Sequence, residues 1–282
     1  MNLSVSDLMF CCFNLPLAAS TFYSRSWRHG KLLCQLFPLL RYGLLAVSLF
    51  TVLAITINRY IMIGHPTLYP MMYKKEYLGL MVACTWVCGF GALVATWLGA
   101  WGQFGLDRQI GSCSILPDEK GRSPKTFLFM VAFVIPCIAI VVCYARIFYI
   151  VRRTALKSHS GARSAKSSRC RANNSSGRRG SPGGAASAGK MTSKDKKLLK
   201  MILVIFLSFL ICYLPITISK TFRHVLEIHS LNIAGYVLIY LTTCINPIIY
   251  VVMSSEYRQA YKNLLTCKAA EMTQQNRSGS QK

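Results

Sequence analysis

Six stretches of the sequence are rich in apolar side chains and are long enough to cross a lipid bilayer as helices. They run from about residues 3 to 22, 36 to 63, 77 to 101, 127 to 151, 198 to 222 and 231 to 253. A helix of about 20 apolar residues crosses the roughly 30 Å of hydrocarbon, where every backbone group must find its hydrogen bond within the protein. Hydrophobic residues make up 53% of the chain and charged residues 15%. The sequence therefore predicts an all-α membrane protein with six spans.

The basic residues indicate how the spans are oriented. The 33 Lys and Arg outnumber the 9 Asp and Glu, and short loops rich in Lys and Arg stay in the cytoplasm. Residues 152–196 are strongly basic and poor in apolar side chains, so we expect this loop to lie on the cytoplasmic, or inner, side and to be mostly disordered. The tail, residues 254–282, then also lies inside and begins with a short amphipathic helix, whereas residues 102–125 lie outside.

The charge of the inner loop raises nucleic-acid binding as an alternative. Aromatic residues interleaved with the bases, or zinc-ligand spacing, would support that alternative, and the sequence of residues 152–196 contains neither. We therefore expect the loop to face anionic lipid headgroups and cytosolic partners, and we expect no nucleic-acid partner.

Two motifs interrupt the apolar pattern. Asn58-Arg59-Tyr60 follows the apolar stretch Leu44 to Ile57, so a guanidinium lies at the edge of the hydrocarbon. Asn246-Pro247-Ile248-Ile249-Tyr250 lies inside the last span, where the proline removes one backbone hydrogen bond and favours a bend. Taken alone, an arginine at the end of a span is more often an interfacial anchor than a switch, and the Asn-Pro-x-x-Tyr string is a short pattern that chance often supplies.

The order of these and other residues resembles the rhodopsin-like class of G-protein-coupled receptors. The interval from Cys34 to Arg59 matches the family's third helix, and Asn2 to Leu8 resembles the start of its second. Further residues follow in the family's order: Trp86, Pro136, Tyr144, Phe209 and Cys212-Tyr213-Leu214-Pro215. The resemblance implies a seven-transmembrane-helix bundle whose first helix is missing from this sequence. It also implies coupling to heterotrimeric G proteins and contacts with arrestin and a receptor kinase.

Several details are similar to a small group of insect orphan receptors within the class. They are the neutral Asn58 where most members have an acid, Gly64-His65-Pro66, and the outer-loop run from Trp101 to Asp107. This narrower resemblance implies signalling linked to cell shape, junctions and migration.

Three cysteines differ from the others, which mostly lie within apolar spans. Cys34 and Cys113 both fall on the outer side, which is oxidising, and resemble the family's disulfide. Cys267 resembles the cysteine that the family palmitoylates in its tail, although a lone tail cysteine is more often unmodified.

The resemblance assigns residues to activation. The G-protein coupling and activation set is Asn58, Arg59, Tyr60, Tyr144, Asp195, Asn246, Pro247 and Tyr250, and the transmission switch is Phe209, Tyr213 and Pro215. Because Asn58 has no charge to pair with Arg59, Asp195 becomes the candidate partner of the arginine. The alternative is that Asp195, among lysines, is a solvated surface charge.

Asp7 is the acid that lies deepest within a span, where an unpaired carboxylate is costly. The resemblance implies an allosteric sodium site formed with Ser48, Thr242 and Asn246. A protonated, hydrogen-bonded Asp7 is the alternative.

The ligand pocket is expected on the outer side. Arg41 lies seven residues after Cys34, about 10 Å along the helix, where a relative that binds amines would have an aspartate. The candidate lining set is Arg41, Tyr42, Tyr213, Lys220, Tyr236 and Tyr240. These residues favour an anionic or lipid-like ligand, unless Arg41 extends to the lipid headgroups instead.

Two other classes of function compete with a receptor. A six-span channel or transporter would need polar pore-lining rows, broken helices or internal repeats, and the spans show little of these beyond Asp7. An intramembrane enzyme would need a nucleophile and base at membrane depth, but the five histidines fall at span ends or in loops. We therefore expect a plasma-membrane receptor and no enzyme.

Overall fold

A computed structural model of the 282-residue chain describes residues 2–108, 111–169, 193–221 and 229–265. These residues fall into two compact units. One contains residues up to 28 and from 194 onward, and the other contains residues 29–193.

The first unit contains helices and no strand in its described part. Its helices are α1 (Asn2–Ser24), α7 (Ser193–Thr221), α8 (His229–Met253) and α9 (Ser255–Leu265). The axis turns by 103° between Val237–Met253 and Ser255–Asn263. An amphipathic helix that follows a membrane span at such an angle can lie along the bilayer surface.

The second unit combines helices with a short hairpin. Its helices are α2 (Gly30–Gly64), α3 (Tyr69–Met72), α4 (Lys75–Trp97), α5 (Lys125–Phe129) and α6 (Ile135–Arg169), and its strands are β1 (Gln103–Asp107) and β2 (Ser112–Leu116). A π-helical turn, Met130–Val134, joins α5 directly to α6. Pro136 follows this turn and has no backbone N–H to donate, which suits a local widening of the helix.

Each predicted span contains a helix of suitable length. Five segments are long and apolar enough to cross a membrane alone: Asn2–Ser24, Gly30–Gly64, Glu76–Trp97, Lys125–Thr154 and Asp195–Ile216. The sixth candidate is the bent pair formed by α8 and α9. Large apolar side chains point outward along these helices, for example Ile138, Ile211 and Val252, which are 58%, 66% and 65% exposed. Such exposure suits a lipid environment.

The structure differs from the sequence prediction at the inner end of α6. The apolar span was expected to end at residue 151 and to be followed by disordered chain, but the helix continues to Arg169. Alanine, lysine and arginine in this extension favour helix, and a helix that already exists needs no new nucleus to extend. Disorder was therefore the wrong expectation for residues 152–169. Residues 170–192 of the predicted loop lie outside the described part of the chain.

Glycines allow α2 and α4 to pack closely. A methyl group on Gly43 would collide with the ring of Phe90, and one on Gly89 would lie 2.7 Å from a methyl of Val47 and 3.2 Å from the carbonyl oxygen of Gly43. Small residues let helix backbones approach within a membrane, where association depends on close packing. This contact fixes the helix that carries Arg41 and Arg59 against its neighbour.

The hairpin was not predicted from the sequence. Its strands pair antiparallel, with Gln103 opposite Leu116 and Asp107 opposite Ser112. Phe104 and Ile115 point inward and form a buried cluster with Leu93 of α4 and Leu128 of α5. The alternation of inward and outward side chains is the pattern of a half-buried strand pair. The hairpin thereby closes over the outer ends of the helices in its own unit.

Candidate functional site

Arg59 lies near the inner end of α2. Its Nη1 donates a hydrogen bond to the Sδ atom of Met62, at 3.4 Å, one turn further along the same helix. Asp195, its predicted partner, lies in the first turn of α7 and belongs to the other unit. The ion pair between Arg59 and Asp195 therefore stays a prediction.

Asn58 lies beside the inner loop. Its side chain is near the phenol of Tyr73, immediately after α3. Burial and then the neighbouring Tyr69 raise the pKa of Tyr73, Asn58 acts in the opposite direction, and the net pKa lies above the usual value.

Tyr144 is anchored to the same inner region of α2. Its side chain lies beside Thr56, whose hydroxyl donates to the Val52 carbonyl oxygen at 2.8 Å. Thr56 precedes Arg59 by about one helical turn. The structure thus brings Tyr144 to the segment that carries the arginine, although the predicted movement of Tyr144 toward Arg59 remains untested.

Asp7 and Asn246 meet across the interior of the first unit. Nδ2 of Asn246 donates to Oδ2 of Asp7 at 2.8 Å. Asn246 is 0% exposed and Asp7 is 3% exposed. Oδ1 of Asn246 has no hydrogen-bond donor within the described residues. The Thr242 hydroxyl donates to the Leu238 carbonyl oxygen at 3.0 Å, which leaves its oxygen able to accept or ligate. Ser48 is buried in the other unit.

These oxygens suit a small hard cation. Carboxylate, hydroxyl and amide oxygens are the donors that such ions prefer. The described residues contain no group of three or more His, Cys, Asp or Glu that could hold a metal ion, so a site here would have to rely on neutral oxygens beside the one carboxylate.

Two aromatic pairs belong to the predicted switches. The rings of Phe209 and Tyr213 stack with centroids 6.1 Å apart, one turn before Pro215 of α7. At the end of α8, Tyr250 stacks on Tyr257 of α9 at 5.2 Å. Pro247 lies one turn before Tyr250. Bending at that proline would therefore also disturb the contact between α8 and α9.

The predicted ligand residues are only partly described. Arg41 is 9% exposed, and Tyr42 lies 3.5 Å from the Ser114 hydroxyl of β2. In the other unit the ring of Tyr240 packs against Phe10 of α1 at 5.6 Å. The side chains of Lys220 and Tyr236, and the whole of Cys267, lie outside what the structure describes.

Asn14 was missed by the sequence analysis. It is 1% exposed, and within the described residues neither its amide nitrogen nor its amide oxygen has a hydrogen-bond partner. It lies two turns beyond Asp7 on the buried face of α1. A polar residue seven positions after a buried acid, inside an apolar stretch, was a signal that could have identified it.

The predicted disulfide is confirmed. Cys34 and Cys113 are bonded, with Cα atoms 5.3 Å apart. The bond ties the start of α2 to β2 and holds Ser114 beside Tyr42. Both cysteines are buried.

Comparisons with known proteins agree on the family. A sequence model described as "7 transmembrane receptor (rhodopsin family)" matches residues 1–250. The chain is 40% identical to "G-protein coupled receptor moody" of Drosophila melanogaster, over 96% of this chain and 46% of that protein. It is 36% identical to "Protein trapped in endoderm-1" of the same species, over 93% of this chain and 66% of that protein. The chain thus spans about half the length of the moody receptor that it matches.

The structural comparison supports the same fold. Squid rhodopsin matches with a TM-score of 0.70 at 21% identity, over 94% of this chain and 75% of that chain. The predictions of a rhodopsin-like bundle and of a multi-pass plasma-membrane protein are confirmed. The chain belongs to the rhodopsin family of seven-transmembrane receptors.

Proposed function

We propose that this chain transmits an extracellular signal to heterotrimeric G proteins through an outward movement of the inner end of α7. The observation that supports the proposal is the arrangement at the inner end of α2, where Arg59 bonds to Met62 and Thr56 bonds to the Val52 carbonyl oxygen within the segment that carries the Asn58-Arg59-Tyr60 triplet. Asn246 and Pro247 give α8 a buried polar contact beside a point where the helix can bend. A six-span channel or transporter finds no support among the related proteins.

Nucleotide exchange tests this function directly. Membranes that contain the receptor, mixed with purified heterotrimeric G proteins, should accelerate GTPγS binding over membranes without it. Ion flux through reconstituted protein in the absence of any G protein, with no exchange on any G-protein class, would favour the channel alternative.

Asp195 is proposed to oppose activation by pairing with Arg59. An ion pair near the surface is worth at most about 1 kcal/mol, which corresponds to about a fivefold change in a two-state equilibrium. We therefore expect Asp195→Ala to raise basal nucleotide exchange up to about fivefold. Glu76→Ala is the matched control, because Glu76 also lies in the first turn of an inner helix end. If both variants leave basal exchange unchanged, Asp195 is only a solvated charge.

The ligand is proposed to be anionic or lipid-like. Arg41 is buried to 9% exposure, which favours an inward position over extension to the lipid headgroups. Its neighbour Tyr42 reaches the hairpin at Ser114, so the outer loop and α2 can enclose one ligand between them.

Arg41 and Asp7 are expected to have separate roles. A charge-assisted bond from Arg41 to an anionic agonist contributes about 1.5 to 3 kcal/mol, so Arg41→Ala should weaken the agonist roughly ten- to a hundredfold. Asp7→Asn should instead reduce sodium sensitivity and signalling efficiency with little effect on affinity. Dose-response curves for an agonist from a screen of anionic lipids measure both. Arg122→Ala, on the exposed outer loop, is the control. Equal potency on wild type and Arg41→Ala would remove Arg41 from the pocket.

Regulation is proposed to follow the family. Arrestin and a receptor kinase would act on the inner face, and palmitoylation of Cys267 would add a lipid anchor beyond α9. No nucleic-acid partner is proposed.

A further inference from the structure

Helix α8 is fastened to α1 inside the first unit. The bond between Asp7 and Asn246 joins the two helices toward their inner ends. About one turn further out, the Cys11 thiol donates to the Thr243 hydroxyl at 3.4 Å. Because these contacts hold α8 beside α1, α8 can act as a support for α7.

The backbone of α7 comes very close to α8 at Gly235. A methyl group on Gly235 would lie 2.9 Å from Cβ of Ile216 and 3.1 Å from both its Cα and its backbone nitrogen. Carbon atoms in contact are normally about 3.5 to 4.0 Å apart, and these crowded atoms cannot rotate away as the end of a side chain could. Glycine is unfavourable inside a helix, so the close approach of the two backbones explains its presence here.

This contact lies directly beside the point where α7 can bend. Pro215 precedes Ile216 and has no N–H to donate to the Ile211 carbonyl oxygen, which weakens the helix there. Asp195, near the inner end, is about 20 residues away, so a bend of about 10° would move that end by roughly 5 Å. The outer side of the bend, in contrast, is the side that contacts α8.

We propose that Gly235 is a positioning residue for signalling, because its contact with Ile216 is the pivot about which α7 turns when it bends at Pro215. This inference rests on the proposed function and specifies how the movement is produced. Helix α7 rotates about the contact and does not move away from α8 as a whole, so the resting and active states share the contact.

Two crosslinks on opposite sides of Pro215 test the pivot. The first joins Gly235→Cys to Ile216→Cys, whose Cβ atoms need to separate only slightly from 2.9 Å to reach the roughly 3.5 Å of a disulfide. The second joins Ile239→Cys to the native thiol of Cys212 through a short bifunctional crosslinker. Ile239 and Cys212 are buried, and each lies about one turn further inward on its own helix.

The two crosslinks should have opposite effects on GTPγS binding. A link at the pivot leaves α7 free to turn, so exchange should stay at the rate of the same receptor before oxidation. A link one turn further in joins the moving segment to α8, so exchange should be lost. A contact that only stabilises the fold predicts no such difference.

Ile239→Cys with Cys212→Ser is the matched control, because it cannot be linked through position 212 and should keep its exchange activity after treatment. Loss of exchange in receptor linked at the pivot, or full exchange in receptor linked at the inner position, would overturn the proposal. If the pivot disulfide does not form, the two backbones are not in contact and the pivot is wrong.

Substitution of Gly235 gives a second test without a crosslink. Gly235→Ala should lower the melting temperature of purified receptor by about 5 °C, because overpacking pushes the backbones apart. Since both states share the contact, exchange per surface receptor should stay within about twofold of wild type. Gly91→Ala of α4 is the control, because its methyl group would have no neighbour within 4 Å among the described residues. It should melt like wild type.

These measurements separate the pivot from the function on which it rests. The disulfide is detected by mass spectrometry of non-reduced peptides, without any G protein. An unmodified receptor that activates no G protein would refute the proposed function and the pivot with it. A receptor that activates G proteins but loses exchange when linked at the pivot would refute the pivot alone. An unchanged melting temperature in Gly235→Ala, or a larger change in its exchange, would also exclude the pivot.

Discussion

Replacing Arg59 by alanine should abolish G-protein activation while the receptor still reaches the cell surface. A thioether is a weak hydrogen-bond acceptor, so exchanging the Met62 sulfur for carbonyl or carboxylate oxygens of a G protein is favourable. Charge-assisted bonds of this kind are worth about 1.5 to 3 kcal/mol each, and one such bond at the upper value corresponds to about a hundredfold. GTPγS binding at equal surface expression measures the loss.

Two variants make this result specific. Arg59→Lys retains the charge but loses the planar fork of donors, so it should keep only part of the activity. Arg146→Ala removes an exposed guanidinium from α6 and should behave as wild type. Full exchange by Arg59→Ala would exclude the coupling role proposed for the triplet.

Removing the disulfide should have the largest effect on stability. The bond closes a loop with a sequence separation of 79 residues, for which the chain-entropy relation gives about 4.5 kcal/mol. Cys34→Ser with Cys113→Ser would release β2 from α2 and loosen the cluster around Phe104 and Ile115. We expect a strong fall in surface expression and in the melting temperature of purified receptor.

The matched control replaces Cys84 and Cys88 of α4, which are exposed free thiols, by serine. That variant should be expressed and should melt like wild type. Non-reduced peptide mass spectrometry should find Cys34 linked to Cys113 in the parent protein. Normal expression of the double serine variant would mean that packing alone holds the hairpin.

Features that depend on local composition were predictable from the sequence. The six spans follow from apolar length, because a bilayer sets one thickness for every helix that crosses it. The cysteine bridge was also predictable, since both cysteines fall on the predicted outer side and match a family pattern. Helix beyond residue 151 was missed because low hydrophobicity was taken to mean disorder, although an extension of an existing helix does not require an apolar face.

Features that depend on a distant partner were not predictable. Asn58 stood out as a missing acid, but its position beside Tyr73 depends on how the chain turns between Gly64 and Tyr69. Asn14 gave a weak signal, because a single amide in an apolar stretch does not reveal whether a neighbour will satisfy it. The hairpin strands are five residues each, too short to distinguish from an irregular loop by alternation alone.

The π-helical turn at Met130–Val134 determines the structural effect of an insertion or deletion in this span. A π turn contains one residue more than the α-helix needs, so deleting one residue there would restore regular α geometry. The outer segment would then rotate by about 100° relative to the inner one. Leu128, which is buried against Phe104 and Ile115, would turn toward the surface, while Tyr144 would stay beside Thr56. A sequence alignment with a gap at this turn would therefore match residues from different faces of the helix. The mismatch would affect only the part of the helix on the outer side of the turn.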